Sequence, residues 1–72
     1  MAKYNGHRSW NAWNVSLWLN NDEGLYSWWQ DLAKRHGKDR AARIMADELD
    51  GQRTPDGAKY NVSCIREAMN EA

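Results

Sequence analysis

One cysteine and two histidines are the side chains in this sequence best suited to nucleophilic chemistry. Cys64 could act as a nucleophile if the fold brought it to His36 and a third group oriented the imidazole; His7 is the other histidine. Simpler interpretations exist: Cys64 as a small apolar residue of the last helix, and His36 as a cation at a helix end. We therefore expect no catalytic centre and no enzymatic activity.

Acidic pairs and metal motifs are equally sparse. Asp22 and Glu23 are adjacent, as are Asp47 and Glu48, but neighbouring side chains on a helix point about 100° apart, so neither pair converges on one site. Two scattered histidines and one cysteine lack the spacing of a metal site. The sequence contains no glycine-rich phosphate loop and no Gly-x-Ser-x-Gly elbow. We expect no metal and no cofactor.

Tryptophan is the most unusual component, with five residues beside no phenylalanine. Each indole can bury roughly 150–250 Å² and carries an N–H that requires a partner, so we expect most of the five in the core. Five rings are more than one small core needs, and tryptophan is enriched at interaction hot spots. The residues that we expect to contact a partner protein are Trp10, Trp18, Trp29, Arg35, Arg40 and Arg43.

Basic residues cluster in one segment although the formal net charge is zero. Residues 34–43 hold five bases against Asp39, a local excess of +4. A generic nucleic-acid binder is expected to be basic overall, so we interpret the segment first as a solvated helix end. The alternative is a helix-turn-helix with residues 39–49 as the reading helix. Its nucleic-acid contacts would be Lys34, Arg35, Lys38, Arg40 and Arg43.

The first element that positions these side chains has an ambiguous pattern. Trp10, Trp13 and Leu17 follow Ser9, a good N-cap, at helical spacing. Residues 13–19 also alternate as a strand would. We favour a helix that is apolar around most of its circumference and therefore largely buried, with the strand as the open alternative.

The clearest amphipathic stripe follows Asp22, which can cap a helix. Apolar residues recur from Leu25 to Leu32 at i, i+3, i+4 and i+7, and basic residues follow up to His36. Gly37 then stands where a left-handed residue ends a helix. The pattern predicts a second helix over this segment.

Two further helices are expected downstream. Asp39 can cap a helix of about residues 40–49. Thr54–Gly57 has the composition of a turn, although Thr54 could instead cap the last helix with Pro55 in its first turn. We start the last helix near Asn61 or Ser63 and end it at about residue 71.

Together these elements predict an all-α fold: a small bundle of three or four short helices with a Trp-rich core. Residues 1–72 would form a single domain, with 1–8 as an exposed lead-in. A chain this short is marginally stable, so a homodimer that completes the core is a further expectation. Cys64 has no disulfide partner, and no signal peptide or bilayer-length apolar run is present. We expect a cytoplasmic protein with no membrane association.

Residues 13–26, W-N-V-S-L-W-L-N-N-D-E-G-L-Y, form a motif too specific for composition to explain. With Tyr4, Trp10 and the Thr54–Gly57 turn, the run resembles a family of small uncharacterised proteins of bacteriophages, plasmids and microbial genomes that share W-N-V-x-L-W-[LI]-x-N-D-[EQ]-G-x-Y. The resemblance covers roughly residues 4–30 and the remainder loosely. It implies a mobile-element accessory protein and carries no catalytic residue with it.

Two functions are weighed on this basis. The leading hypothesis is a non-enzymatic protein that binds a host protein in the host cytoplasm and inhibits or redirects it. This hypothesis is an analogy with counter-defence and anti-CRISPR-like inhibitors, which are of similar size. The alternative is nucleic-acid binding through residues 34–43. The motif also has a structural interpretation, in which Asn21 and Asp22 turn the chain and Gly24 lets the second helix pack against the first.

Overall fold

Four α-helices and one loop make up the part of the chain, residues 9–70, that the computed structural model describes. The helices are α1 (Trp10–Asn21), α2 (Glu23–His36), α3 (Lys38–Glu48) and α4 (Val62–Met69). No strand occurs in this range, and the loop before α4 contains one isolated antiparallel bridge between Arg53 and Lys59. The predicted all-α bundle is confirmed, and residues 13–19 are helical. The expected lead-in, residues 1–8, lies outside the described residues.

Each helix packs against two others, in the order α1, α2, α3, α4 and back to α1. α1 begins at the predicted cap, because the Ser9 hydroxyl accepts a hydrogen bond from the Ala12 N–H. It ends at Asn21, and the next residue, Asp22, caps α2 by accepting from the Leu25 N–H at 3.0 Å. The junction between α1 and α2 is therefore a single residue, and the prediction that Asp22 caps α2 is confirmed.

α2 and α3 are joined through Gly37 alone. Gly37 has φ 86° and ψ 159°, a combination open essentially to glycine, and α3 begins immediately afterwards at Lys38. The expectation that Asp39 caps α3 is wrong, because Asp39 lies inside the first turn and its carboxylate bonds to Arg66 of α4. A one-residue junction is also shorter than the three to four residues of a helix-turn-helix turn.

The interior is built from small and flexible residues more than from indoles. Of the five tryptophans, all within the described range, Trp29 alone is fully buried, with Trp28 packed at the edge of the core. Four of the core residues on the helices are alanines, which leave little room for several indole rings between the helices: Ala12, Ala41, Ala42 and Ala68. The predicted Trp-rich core is thus corrected in its composition. The buried apolar residues are Ala12, Val15, Leu19, Trp29, Ala41, Ala42, Met45, Ala58, Cys64, Ile65, Ala68 and Met69.

Candidate functional site

The signature motif on α1 and the Thr54–Gly57 turn are in direct contact. Asn14 is buried; its Nδ2 donates to Asp56 Oδ2 at 2.9 Å, and its Oδ1 accepts from the Thr54 hydroxyl at 2.6 Å. The same Thr54 hydroxyl accepts from the Ala58 N–H at 3.0 Å, which closes the turn on itself. The two segments that carry the resemblance therefore form one structural unit.

Trp18 completes this unit from the same side of α1. Its Nε1 donates to Asp56 Oδ2 at 3.0 Å, so two donors converge on one carboxylate oxygen. The hydrogen bonds from Asn14 and then from Trp18 lower the pKa of the Asp56 carboxyl below its usual value. Trp18 is half-buried with its polar atom in use, and it contributes to a fixed turn rather than to a free contact surface.

Asn11 joins α1 to the loop one turn earlier. Its amide oxygen accepts from the Lys59 N–H at 2.8 Å, and its Nδ2 donates to the Lys59 carbonyl at 2.9 Å. The Nδ2 also lies 3.4 Å from Cys64 Sγ, in the first turn of α4. Sequence reasoning missed Asn11 and Asn14, although amides inside a helix predicted to be buried imply polar partners elsewhere in the chain.

Trp29 was expected at a contact surface, and this is wrong. Its side chain is 2% exposed, and its Nε1 donates to the Leu19 carbonyl at 3.2 Å. An edge-to-face contact with Tyr26, with ring centroids 5.6 Å apart, covers the ring further. Trp29 therefore joins α2 to the end of α1 from inside the core.

Of the three tryptophans expected to contact a partner, Trp10 is the one that lies at the surface, with 39% exposure. Leu17, which was not expected, is 36% exposed two turns later, and Trp13 lies between them in the same i, i+3, i+7 register and is half-buried. We call Trp10, Trp13 and Leu17 the α1 outer strip. All twelve residues of α1 are uncharged, so the strip has no charged neighbour on its own helix.

The basic segment does not form one patch. All five of its cations are exposed, but Arg35 is in an ion pair with Asp31 at 3.3 Å, and Lys34 and Lys38 line a groove of about 460 Å³ beside Trp29 and Met69. The remaining two expected residues, Arg40 and Arg43, face a different groove between α3 and α4. The structure therefore separates the predicted nucleic-acid residues into two surfaces.

Arg66 of α4 shares that second groove, which is lined by Asp39, Arg40, Arg43, Val62 and Arg66 and measures about 370 Å³. Arg66 Nε donates to Asp39 Oδ1 at 2.6 Å. This bond, with the charges of Arg66 and Arg43, lowers the pKa of the Asp39 carboxyl. We call this second groove, lined by these five residues, the α3–α4 groove. Arg66 could not be placed from sequence because it lies 27 positions from Asp39.

Within residues 9–70, the side chains considered for metal binding and for nucleophilic chemistry lie in different environments. Within that range no group of three or more His, Cys, Asp and Glu side chains could hold a metal ion. Cys64 is 4% exposed, whereas His36 lies on the surface at the end of α2, and His7 lies outside the described residues. No helix in the same range is long and apolar enough to cross a membrane.

Comparisons with known proteins give a family but no activity. A model described as a family of unknown function (DUF7249) matches residues 1–72. No curated protein and no solved structure matches the chain.

Proposed function

The chain belongs to the DUF7249 family of unknown function, and from that starting point, which supplies no activity, we propose that the protein is a non-enzymatic binding module. It attaches to a partner protein through the α1 outer strip. The observation that carries the proposal is the exposure of large apolar side chains on an uncharged helix, in a chain in which 28% of residues are charged.

The spacing of the strip fits a known mode of recognition. A helix that docks into an apolar groove presents side chains at i, i+3 and i+7, and Trp10, Trp13 and Leu17 have this spacing. Trp10 and Leu17 are about 10 Å apart along the helix axis. Trp10 is the expected energetic centre, because tryptophan dominates hot spots at protein interfaces. The partner we infer is a protein with an apolar groove.

The finer part of the proposal is biological context. We infer that the protein is an accessory protein of a phage or other mobile element, and that it inhibits or redirects a host protein in the cytoplasm in the manner of counter-defence and anti-CRISPR-like proteins. This rests on the resemblance of residues 13–26 to proteins of such elements and on small size, so it is an argument by analogy.

Serine substitutions on the α1 outer strip test the binding proposal. Affinity-tagged protein is used to capture partners from a host lysate, with Trp10→Ser and Leu17→Ser as test variants and Val62→Ser as the control. Val62 is 43% exposed and lies on α4, where it lines a groove with residues of α3 and is not a member of the strip. We expect a partner that wild type and Val62→Ser retain and that both strip variants lose, with folding checked by circular dichroism. A partner retained equally by all four proteins, or no partner at all, contradicts the proposal.

Nucleic-acid binding is the second candidate, favoured by the exposure of Lys34, Lys38, Arg40 and Arg43. It is weakened by the division of these residues between two grooves and by the carboxylates of Asp31 and Asp39 among them. If it holds, affinity for duplex or single-stranded oligonucleotides falls steeply as salt rises, and the double variant Arg40→Gln/Arg43→Gln loses it while Trp10→Ser does not. Flat, millimolar binding removes this candidate.

A further inference from the structure

The α3–α4 groove combines three guanidinium groups with one carboxylate. Arg40 and Arg43 come from α3 and Arg66 from α4, and Asp39 is the acid in the lining. Three positive charges and one negative charge leave the groove at +2, although the whole chain is neutral. Its volume of about 370 Å³ is within the range of small-molecule sites.

Arg66 is held in place before any ligand arrives. Its Nε donates to Asp39 Oδ1 and its Nη1 donates to Asn70 Oδ1, both at 2.6 Å, and its side chain is 35% exposed. These two bonds leave the Nη2 amino group without a bond to any residue in the range 9–70. A guanidinium fixed in this way loses less conformational entropy when it binds an anion.

Arg40 and Arg43 supply the charge that is not yet neutralised. They lie one turn apart on the exposed side of α3, and neither makes a hydrogen bond or ion pair with another described residue. Arg43 lies four positions after Asp39 on α3, and both side chains line the groove with Arg66. Two arginines that have no partner within residues 9–70, beside a fixed third one, are a typical arrangement for binding an oxyanion.

We propose that the α3–α4 groove binds the dianionic phosphate group of a phosphate monoester. A monoester phosphate carries about −1.5 to −2 charges at neutral pH and three acceptor oxygens, which match the charge of the groove and its arginine donors. Val62, exposed at the lining, offers an apolar contact to the organic part of the ligand. A phosphodiester carries one charge and two free oxygens, and it matches the groove less well. The site lies apart from the α1 outer strip and does not depend on the protein-binding proposal.

Phenyl phosphate is the probe that tests this site. In ¹⁵N-labelled protein, we expect saturable shifts of the Nε–H resonances of Arg40, Arg43 and Arg66, and roughly fivefold weaker binding in Arg40→Gln and in Arg43→Gln. Arg35→Gln is the matched control, because Arg35 is an exposed arginine of α2 paired with Asp31 outside the groove. That variant is expected to bind phenyl phosphate as wild type does.

Two further arms distinguish the ligand class from general charge effects. Inorganic phosphate is expected to shift the same three resonances, and dimethyl phosphate is expected to bind at least several-fold more weakly. Equal binding of dimethyl phosphate overturns the monoester proposal, and so do shifts spread evenly over Arg35 and Arg53 or reproduced by sodium chloride at equal ionic strength. Trp10→Ser separates this result from the strip proposal: it is expected to lose the partner protein but to bind phenyl phosphate as wild type does, because Trp10 is not part of the groove lining.

Discussion

α1 and the α2–α3 corner are tied into the same bundle by different kinds of contact. α1 is held to the loop before α4 by side-chain hydrogen bonds from Asn11, Asn14 and Trp18. The α2–α3 corner depends on an apolar stripe, a capping aspartate and a glycine with a positive φ. Both regions are helical, but polar side chains specify the first, whereas backbone conformation and apolar periodicity specify the second.

This difference shows which contacts select a single packing arrangement in a small core. The buried apolar residues of the bundle are mostly small or unbranched, and such residues pack in more than one arrangement. A buried amide with two required partners allows fewer arrangements, because an unsatisfied polar group in the interior is costly. We therefore expect the α1 region to be the more sensitive of the two to a single polar deletion.

Asn14→Ala is expected to have the largest effect. It removes the acceptor of the buried Thr54 hydroxyl and one donor to Asp56, and should lower the free energy of unfolding by about 2–3 kcal/mol. Asn21→Ala is the control, because the Asn21 amide bonds to the Leu17 carbonyl at the surface and its loss should change stability by less than about 0.5 kcal/mol. Urea denaturation measures both. Equal effects at the two positions, which both lie on α1, would mean that the buried amide of Asn14 contributes no more to stability than a surface hydrogen bond does.

The α2–α3 corner shows how much of the fold could be predicted from sequence. The stripe from Leu25 to Leu32, the Asp22 cap and the Gly37 terminus predict α2, and the structure confirms its course. These signals are local, since each involves residues within a few positions of one another. The predicted start of α3 was wrong by contrast, because the carboxylate of Asp39 bonds to a distant arginine and does not cap the helix N-terminus.

The candidate sites were harder to predict from sequence, because they too depend on contacts between residues that are distant in the chain. Trp10, Trp18 and Trp29 were treated alike, yet one is exposed, one holds a turn and one is buried. The environment of each indole depends on distant contacts: Trp18 bonds to a residue 38 positions away, and Trp29 bonds to one 10 positions away. Composition shows that a chain has more indoles than its core requires, but only the packing of α1 against its neighbours decides which side of each ring meets solvent.

Gly37→Ala tests the corner and is expected to cost less than the loss of Asn14. A Cβ at this position meets no atom within 4 Å, so the cost of about 1–2 kcal/mol comes from the backbone conformation alone. Gly24→Ala, within α2, is the matched control. Its Cβ would lie 3.4 Å from Asp22 Oδ1, and the helical backbone should make this variant neutral or up to about 1 kcal/mol more stable. Destabilisation by both alanines to the same degree would contradict the role of Gly37 in ending α2.

The smallest expected effect concerns the pH dependence that Asp56 gives to the α1 region. Hydrogen bonds from Asn14 and Trp18 lower the folded-state pKa of Asp56, so the ionised carboxylate stabilises the fold above the unfolded-state pKa. This contribution is lost as pH falls through the acidic range, and urea midpoints measured from about pH 6 down to about pH 2 should show it.

Asp56→Asn should therefore be less stable than wild type near neutral pH, although the loss should be smaller than that of Asn14→Ala. The difference between wild type and Asp56→Asn should shrink toward the acid end. Trp18→Phe deletes the weaker of the two donors and should reduce the pH-dependent part without abolishing it. A constant difference between wild type and Asp56→Asn across the whole range would mean that the charge of Asp56 does not hold the turn, and that the amide of Asn14 and the hydroxyl of Thr54 hold it alone.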